Sequence, residues 1–208
     1  MLQTIAIQNK YIMKLILGSS SESRIKLLEK IGYKPDLIIH PEIEETQLKG
    51  ELPHKTAIRL AIAKAQKISQ IYPHDLVISA DTVCAKGRLQ LPKTMSEDQV
   101  RFCLNKLSGC RHKTYTGVCG ISNGKIISKL GTTIIKFKVL SQDDIEEFIV
   151  DKKQWYGKAG GYTLAGIASG FVTMIRGDDT SSVMGLPLYY TRNIIKTLGS
   201  NQIKKYYE

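Results

Sequence analysis

The sequence lacks the features of a membrane protein, a disulfide-stabilised protein and a zinc-binding protein. No apolar run approaches the roughly 18 to 20 residues needed to cross a bilayer. Polar residues from Gln8 to Lys10 interrupt the N-terminal stretch, which argues against a secretory signal. The four cysteines form no C-x-x-C pair, and the four histidines do not alternate with them at zinc-finger spacing. We therefore expect free thiols and a cytoplasmic protein.

Repeats, low-complexity segments and linkers are also missing, so most of the chain is expected to fold as one unit. A length of 208 residues with 42% hydrophobic residues is enough for a substantial core. We predict a single domain over residues 14–200, preceded by an N-terminal extension over residues 1–13 and followed by a tail over residues 201–208. Met13 is an alternative native start, because it directly precedes the first strand-like run.

Acidic residues are scarce relative to basic ones, and the net charge is +11. From Lys86 to Lys138 the sequence contains eleven Lys and Arg residues but only two acidic ones, Glu97 and Asp98. Such an excess attracts anions. A soluble basic surface, a nucleic acid, an anionic membrane surface and a phosphorylated small molecule all remain open, because charge alone does not distinguish them.

Short apolar runs alternate with helical patterns along the chain, which predicts an α/β fold. Strands are predicted at residues 14–17, 37–39, 76–80, 114–121, 125–139 and 171–175. Helices are predicted up to Lys30, from Pro53, from Ser96, from Ser141 and from Pro187. The Asn123-Gly124 pair predicts a hairpin turn. Because a long strand region lies between helix-rich segments, we expect a mixed, twisted sheet flanked by helices.

The run from Gly18 to Arg24 is a candidate phosphate site. It follows a strand and leads into a helix, so hydroxyls, free backbone N–H groups and the positive helix end meet in one place. Arg24 adds a cation that can contact two phosphate oxygens. Simple N-capping by serine explains the same pattern equally well. The run is not a Walker motif, because it has no Gly-Lys-Ser/Thr ending.

Asp81 is the strongest catalytic candidate. A carboxylate directly after an apolar strand is costly unless it is paired, hydrogen-bonded or bound to metal, and ligands bind at strand ends in α/β sheets. The alternative is that Asp81 caps the turn before Lys86 and Gly87, and we favour the functional role. Glu44 and Glu45 would matter only if the fold brings them to Asp81. Lysines of interest stand at three positions, Lys64, Lys93 and Lys158, the last within a glycine-rich loop.

These pieces, in this order, resemble the Maf-like family of nucleotide pyrophosphatases, which is related in fold to the inosine-triphosphate pyrophosphatases. The resemblance runs from about Lys14 to Gly199. It rests on Leu17 to Ser21 with Arg24 and Leu27-Leu28, Glu44-Glu45, Leu60-Ala61 with Lys64-Ala65, Ser79 to Thr82, Lys93, Leu107 to Gly109 with His112 and Thr116-Gly117, Lys158 to Gly160 with Tyr162, and Gly185 to Leu188.

The resemblance implies two lobes around a deep cleft, commonly in a homodimer, and hydrolysis of a nucleoside triphosphate to the monophosphate and pyrophosphate. It implies a divalent metal, Mg²⁺ or Mn²⁺, held by Glu45 and Asp81, with Asp81 activating the attacking water. It also implies substrate binding by Ser19, Ser21, Arg24, Lys64, Lys93 and Lys158. Carboxylates, hydroxyls and cationic side chains suit phosphoryl transfer, which depends on positioning of the substrate and neutralisation of its charge.

The chain departs from the family pattern at positions tied to the base. Thymidine- and uridine-triphosphate members carry two successive arginines where Ser23 and Arg24 stand, and a glutamine near Ala165. Members specific for 7-methylguanosine triphosphate carry tryptophan in place of Ser23. We predict that Ser23, Thr82 and Ala165 set specificity, and Thr94 replaces the usual proline after Lys93. The alternative function is a basic nucleic-acid-binding or cell-division regulatory protein without hydrolysis.

Overall fold

A computed structural model describes residues 12–199 and 202–203. The predicted N-terminal extension lies outside the described residues up to position 11, as does most of the predicted tail. The elements are β1 (Leu15–Leu17), α1 (Glu22–Lys30), β2 (Leu37–Ile38), α2 (Pro53–Ser69), β3 (Leu76–Lys86), β4 (Leu89–Leu91), α3 (Glu97–Leu107), β5 (Arg111–Ser122), β6 (Lys125–Phe137), α4 (Gln142–Val150), β7 (Val172–Gly177) and α5 (Leu188–Leu198). Within the described ranges, no helix is both long and apolar enough to span a membrane.

Local signals account for several element ends. Asn123 and Gly124 both have positive φ values, 47° and 74°, and they connect β5 to β6 as the predicted tight turn. The Ser96 side chain accepts a hydrogen bond from the Gln99 backbone N–H at the start of α3. Ser141 forms a full capping box at the start of α4. The predicted helix starts at these two serines are thus confirmed.

The sheet is mixed, as predicted. Its main order is β2-β1-β3-β5-β6-β7, with β4 paired to β3; β1 pairs in parallel with β2 and β3, and the remaining pairs are antiparallel. The pairing of β1 with β3 ends at Ile78, and the pairing of β4 with β3 begins at Cys84. From Ser79 to Val83, β3 is therefore paired on the β5 side, and its other edge is open. Residues on both faces of β3 can reach this opening.

Two apolar cores share the long strands, which confirms the two-lobed fold. One core packs β1, α1 and α5 against residues such as Ile78 and Ala80 of β3. The other packs α3, α4 and the segment 152–171 against residues such as Cys84 and Phe137. Helix α2 covers the opposite face of the sheet. Since Ile78, Ala80 and Cys84 alternate on one face of β3, the lobes lie side by side with Thr82 between them.

The predicted end of the third strand at Ala80 is wrong, because β3 continues to Lys86. Its ladder with β5 runs from Val77 to Ala85 without a break, so Asp81 lies inside a paired strand instead of after one. This geometry also rules out Asp81 as a cap for the turn at Gly87. A prediction from hydrophobicity ends the strand before its first charged residue, Asp81. The backbone hydrogen bonds to β5 do not depend on side-chain polarity, so the strand continues past Asp81.

Candidate active site

A cleft of about 590 Å³ lies at the open edge of β3 between the two lobes. Five segments supply its walls: the loop 18–24, the segment 40–45, the strand residues Thr82 and Thr114, the loop 156–163 and the turn 183–185, together with Lys64 and Lys93. These segments belong to both lobes. The walls include all six residues predicted to bind substrate.

The loop from Gly18 to Ser21 is shaped to expose its backbone and hydroxyls. A Cβ on Gly18 would lie 2.0 Å from the Ser79 hydroxyl oxygen, so only glycine lets β1 end this close to β3. Ser21 is the N-cap residue of α1, yet its side chain makes no capping hydrogen bond. Serine capping therefore does not explain this loop. The first residues of α1 line the cleft together with Arg24, and a helix N-terminus beside a cation suits a phosphate group.

Arg24 is held by three hydrogen bonds. Its Nε donates to the Gly185 carbonyl at 2.7 Å, and its guanidinium nitrogens donate to the hydroxyls of Ser19 at 2.9 Å and Thr82 at 3.3 Å. Burial lowers the pKa of Arg24, and the charges of Asp81 and Glu45 oppose that shift. Gly185 has a φ of 105°, a conformation that suits glycine and orients its carbonyl toward Arg24.

Two carboxylates and two lysines form a compact charged cluster beside this loop. Lys64 Nζ lies 2.6 Å from Asp81 Oδ1 and 2.5 Å from a carboxylate oxygen of Glu45. Lys93 Nζ contacts the other oxygen of Glu45 and lies 3.7 Å from Asp81. The side chains of Asp81 and Lys64 are 1% and 6% exposed, whereas that of Lys93 is 44% exposed. The cluster therefore extends from the protein interior to the cleft.

The cluster keeps Glu45 anionic and leaves Glu44 outside. Burial alone would raise the pKa of Glu45, but hydrogen bonds from Lys64 and Lys93 lower it to about 2. Glu44 instead bonds the neighbouring Thr46 at the surface. Only one member of the acidic pair is thus placed beside Asp81.

The donor set at this cluster is compatible with a hard divalent cation. Within residues 12–199 and 202–203, no group of three or more His, Cys, Asp or Glu side chains is placed to hold a metal ion. Glu45 and Asp81, however, already share one cation, the Lys64 ammonium. Mg²⁺ commonly binds through one or two carboxylates together with substrate phosphates and water. The two carboxylates fit that mode of binding.

The glycine-rich loop brings Lys158 to the cleft and is tied to the Lys93 segment. Lys93 and Ala159 form an isolated antiparallel bridge. Thr94 strengthens this connection, because its N–H donates to the Lys158 carbonyl at 3.2 Å and its hydroxyl donates to the Trp155 carbonyl at 2.6 Å. Proline could donate neither bond. The departure at Thr94 therefore changes how the loop is anchored.

The three predicted specificity residues have different surroundings. The Ser23 hydroxyl donates to the Met184 carbonyl at 2.7 Å, and the Thr82 hydroxyl is shared between Arg24 and Thr116, so both groups are occupied. Ala165 is exposed and is not among the residues lining the cleft. Trp155 is buried in a lobe core, whereas the adjacent Tyr156 lines the cleft.

Several lining residues were not singled out as candidates from the sequence: His40, Thr114, Thr163 and the turn 183–185. Thr114 had a signal, because it follows the charged residues Arg111 and Lys113 in an alternating pattern, and the structure buries it on the inner face of β5. The turn 183–185 had none of comparable strength. The turn reaches the cleft because the chain passes it on the way from β7 to α5.

Comparison with known proteins identifies the family. The model of the family described as "Maf-like protein" matches residues 14–198. The chain is 44% identical over 185 residues to a protein of Neorickettsia sennetsu named nucleoside triphosphate pyrophosphatase, covering 88% of each chain. It is 43% identical over 186 residues to a dTTP/UTP pyrophosphatase of Caulobacter vibrioides, covering 89% of this chain and 95% of the relative.

Among solved structures, a HAM1 protein from Coxiella burnetii superposes with a TM-score of 0.50 at 14% identity, covering 89% of this chain and 99% of that one. This similarity supports the fold. The sequence match over nearly the whole folded region, together with relatives above 40% identity, shows that the chain belongs to the Maf-like protein family.

Proposed function

We propose that this protein hydrolyses a nucleoside triphosphate to the nucleoside monophosphate and pyrophosphate. The observation that carries the proposal is the buried Asp81 carboxylate, joined through Lys64 to Glu45 at a cleft that also contains Arg24, Lys93 and the N-terminus of α1. The relatives' names support the same activity, and they favour it over nucleic-acid binding without hydrolysis.

The cationic residues are suited to hold the triphosphate. Arg24, Lys64, Lys93 and Lys158 place four positive groups around one cleft, which would oppose the charge of the phosphate chain. Ser19 and Ser21 add hydroxyls and backbone N–H groups at the helix end. Because Arg24 is fixed by three hydrogen bonds, little reorganisation is needed when substrate binds.

Asp81 is suited to act as the general base. Its described ion pairs use Oδ1, which leaves Oδ2 to accept a proton from water. The water oxygen then bonds to the α-phosphorus, the bond from that phosphorus to the bridging oxygen of the β-phosphate breaks, and pyrophosphate leaves with the bond's electron pair. The proton on Asp81 passes to solvent afterwards.

A divalent metal, Mg²⁺ or Mn²⁺, belongs to this proposal. Glu45 and Asp81 would hold it, and a bound ion would supply positive charge against the phosphate oxygens. Both lysine contacts on Glu45 would then be shared with, or replaced by, the metal and the substrate. Lys64 and Lys93 are well placed for such an exchange, since each reaches both carboxylates.

The test is pyrophosphate release from a panel of nucleoside triphosphates with Mg²⁺ or Mn²⁺. We expect Asp81→Asn to lower kcat by about 10² to 10⁴-fold, because the proton acceptor is lost. Glu45→Gln should lower activity as well, whereas Glu44→Gln, a change of the same kind outside the cluster, should leave it intact. The proposal fails if the wild type releases no pyrophosphate or if Asp81→Asn is fully active.

Homodimer formation and a cytoplasmic location are further parts of this proposal. The family resemblance suggests the dimer, which light scattering coupled to size-exclusion chromatography would test. All four cysteines are free thiols, and burial raises the pKa of Cys103 and Cys119 to about 12. Unreactive thiols suit a reducing compartment.

A further inference from the structure

A strip of hydroxyl-bearing residues separates the two lobe cores on the inner face of the sheet. In register across β3, β5 and β6, Thr82 lies opposite Thr116, and Thr114 lies opposite Thr133. Side chains directly opposite each other in an antiparallel pair point to the same face. Apolar residues lie on this face at either side of the strip, including Ala80 in one lobe core and Ile135 in the other. The strip is therefore the floor between the lobes.

One threonine of this floor lines the cleft and has a buried hydroxyl without a bonding partner among the described residues. Thr114 is 4% exposed, and its Oγ1 makes no hydrogen bond with any group in the described part of the chain. A buried hydroxyl without a partner destabilises the protein, because it has lost its bonds to water and gained none in return. A ligand that supplies a polar atom at this position would recover that free energy.

The two hydroxyls that were predicted to set specificity, those of Thr82 and Ser23, are already bonded within the protein. Thr82 contacts Arg24 and Thr116, and the Thr116 hydroxyl donates to the Ser182 carbonyl at 2.7 Å. Ser23 bonds the turn 183–185. These bonds fix the cleft walls, whereas the Thr114 hydroxyl makes none within the part of the chain that the structure describes.

The position of Thr114 suits the nucleoside end of the substrate. Thr114 lies opposite Cys84, which is three residues beyond Asp81 along β3, or about 10 Å at the rise of a strand. The wall residues Tyr162, Thr163 and Val183 carry no charge, whereas Arg24, Lys64 and Lys93 all interact with Asp81. The phosphate chain thus fits one end of the cleft, and the sugar and base fit the other.

We propose that Thr114 is a specificity-determining residue whose hydroxyl bonds a polar atom of the nucleoside part of the substrate. The inference rests on the proposed function for the identity of the substrate. A hydroxyl both donates and accepts, so a base carbonyl, a base N–H or a ribose hydroxyl can each satisfy it. A site built to bond such a group discriminates strongly against nucleotides that lack it.

The experiment compares wild type with Thr114→Val, which keeps the shape and removes the hydroxyl, and Thr114→Ser, which keeps the hydroxyl. Ribo- and deoxyribonucleoside triphosphates of each common base are tested in two ways. Binding is measured from ligand-induced thermal shifts without metal, and turnover is measured from pyrophosphate release with Mg²⁺. Ribose and deoxyribose pairs show whether the contact is to the sugar, and the base series shows whether it is to the base.

We expect Thr114→Val to lose about 10-fold or more in affinity and kcat/KM for the preferred nucleotide, with small changes for the poor ones, while Thr114→Ser keeps the wild-type ranking. The matched control is Thr133→Val, which removes a buried, unpartnered hydroxyl from the same strip away from the cleft lining. It should leave the ranking unchanged.

The inference is overturned if Thr114→Val leaves the ratio between the preferred and the poor nucleotides unchanged, as it would by weakening all of them equally, or if Thr133→Val changes that ratio to the same extent. Loss of the proposed function has a different signature. In that case wild type releases no pyrophosphate, and the binding series alone still shows whether Thr114 discriminates among nucleotides.

Discussion

Replacing Lys64 by methionine removes the cation that joins Asp81 to Glu45. Methionine is similarly long and unbranched, so it fills the same space without charge. The change leaves a buried Asp81 carboxylate beside Glu45, with the Lys93 ammonium 3.7 Å away as its remaining ion-pair partner among the described residues and the Arg24 charge farther off. We expect the free energy of unfolding to fall.

The burial of the pair sets the size of this effect. Ion pairs between exposed side chains contribute about 0 to 1 kcal/mol. Asp81 and Lys64 are 1% and 6% exposed, and breaking such a buried pair by removing one partner costs about 3 to 5 kcal/mol. Lys93 compensates in part, so we expect about 3 kcal/mol. A domain stable by about 5 to 15 kcal/mol still folds after this loss.

Urea unfolding at neutral pH measures the effect, and a double-mutant cycle assigns it. Asp81→Asn alone and Lys64→Met with Asp81→Asn complete the cycle. Because the double variant has no buried unpaired carboxylate at position 81, its loss should be smaller than the sum of the two single losses by about 2 kcal/mol. The melting temperature of Lys64→Met should fall by about 6 to 12 °C.

Two outcomes would refute this reasoning. A loss below about 1 kcal/mol in Lys64→Met would mean that the pair behaves as an exposed one. Additive losses in the cycle would mean that Lys64 stabilises the protein through packing of its aliphatic stem, independently of the Asp81 charge.

Two further predictions concern pH and packing. Burial lowers the pKa of His112 to about 4, below its value of about 6.5 in the unfolded chain. The stability that the neutral ring contributes is therefore complete above pH 6.5 and is lost as the pH falls toward 4. In urea titrations at pH 7 and pH 4, the free energy of unfolding of the wild type should fall by about 3 kcal/mol more than that of His112→Gln, and equal losses would contradict this. A Cβ on Gly117 would lie 2.3 Å from the Ala57 carbonyl oxygen of α2, so Gly117→Ala should displace the helix that carries Lys64. Both the melting temperature and pyrophosphate release should then fall. In the control Gly170→Ala the new Cβ has no atom of the described residues within 4 Å, so neither should change, and equal behaviour of the two variants would refute the packing argument.

Local sequence signals predicted most helices and the central hairpin. The hydroxyl at Ser141, the Asn123-Gly124 turn and the period of apolar residues in α2 act over a few neighbouring residues, so they can be recognised without the fold. The end of β3 could not be recognised in this way. Pairing with β5, about 35 residues away along the chain, carries that strand past Asp81.

The site shows the same division. The family pattern indicated Ser19, Arg24, Lys64 and Asp81 as candidates, and the structure brings all four to one cleft or its immediate wall. It did not indicate that Lys64 lies between two carboxylates, because that contact joins α2, β3 and the segment before α2.

By itself, the sequence determined the residue types of the site and their order along the chain: a small-residue loop before a helix, a carboxylate in an apolar stretch and separated cations. Only the tertiary structure decided which hydroxyls are already bonded and which are free. Whether Thr82 or Thr114 has an unpaired hydroxyl depends on Arg24 and Thr116, which approach from other elements. A side-chain hydroxyl is bonded only if a donor or acceptor from another element comes within hydrogen-bonding distance, and those distances are set when the sheet forms.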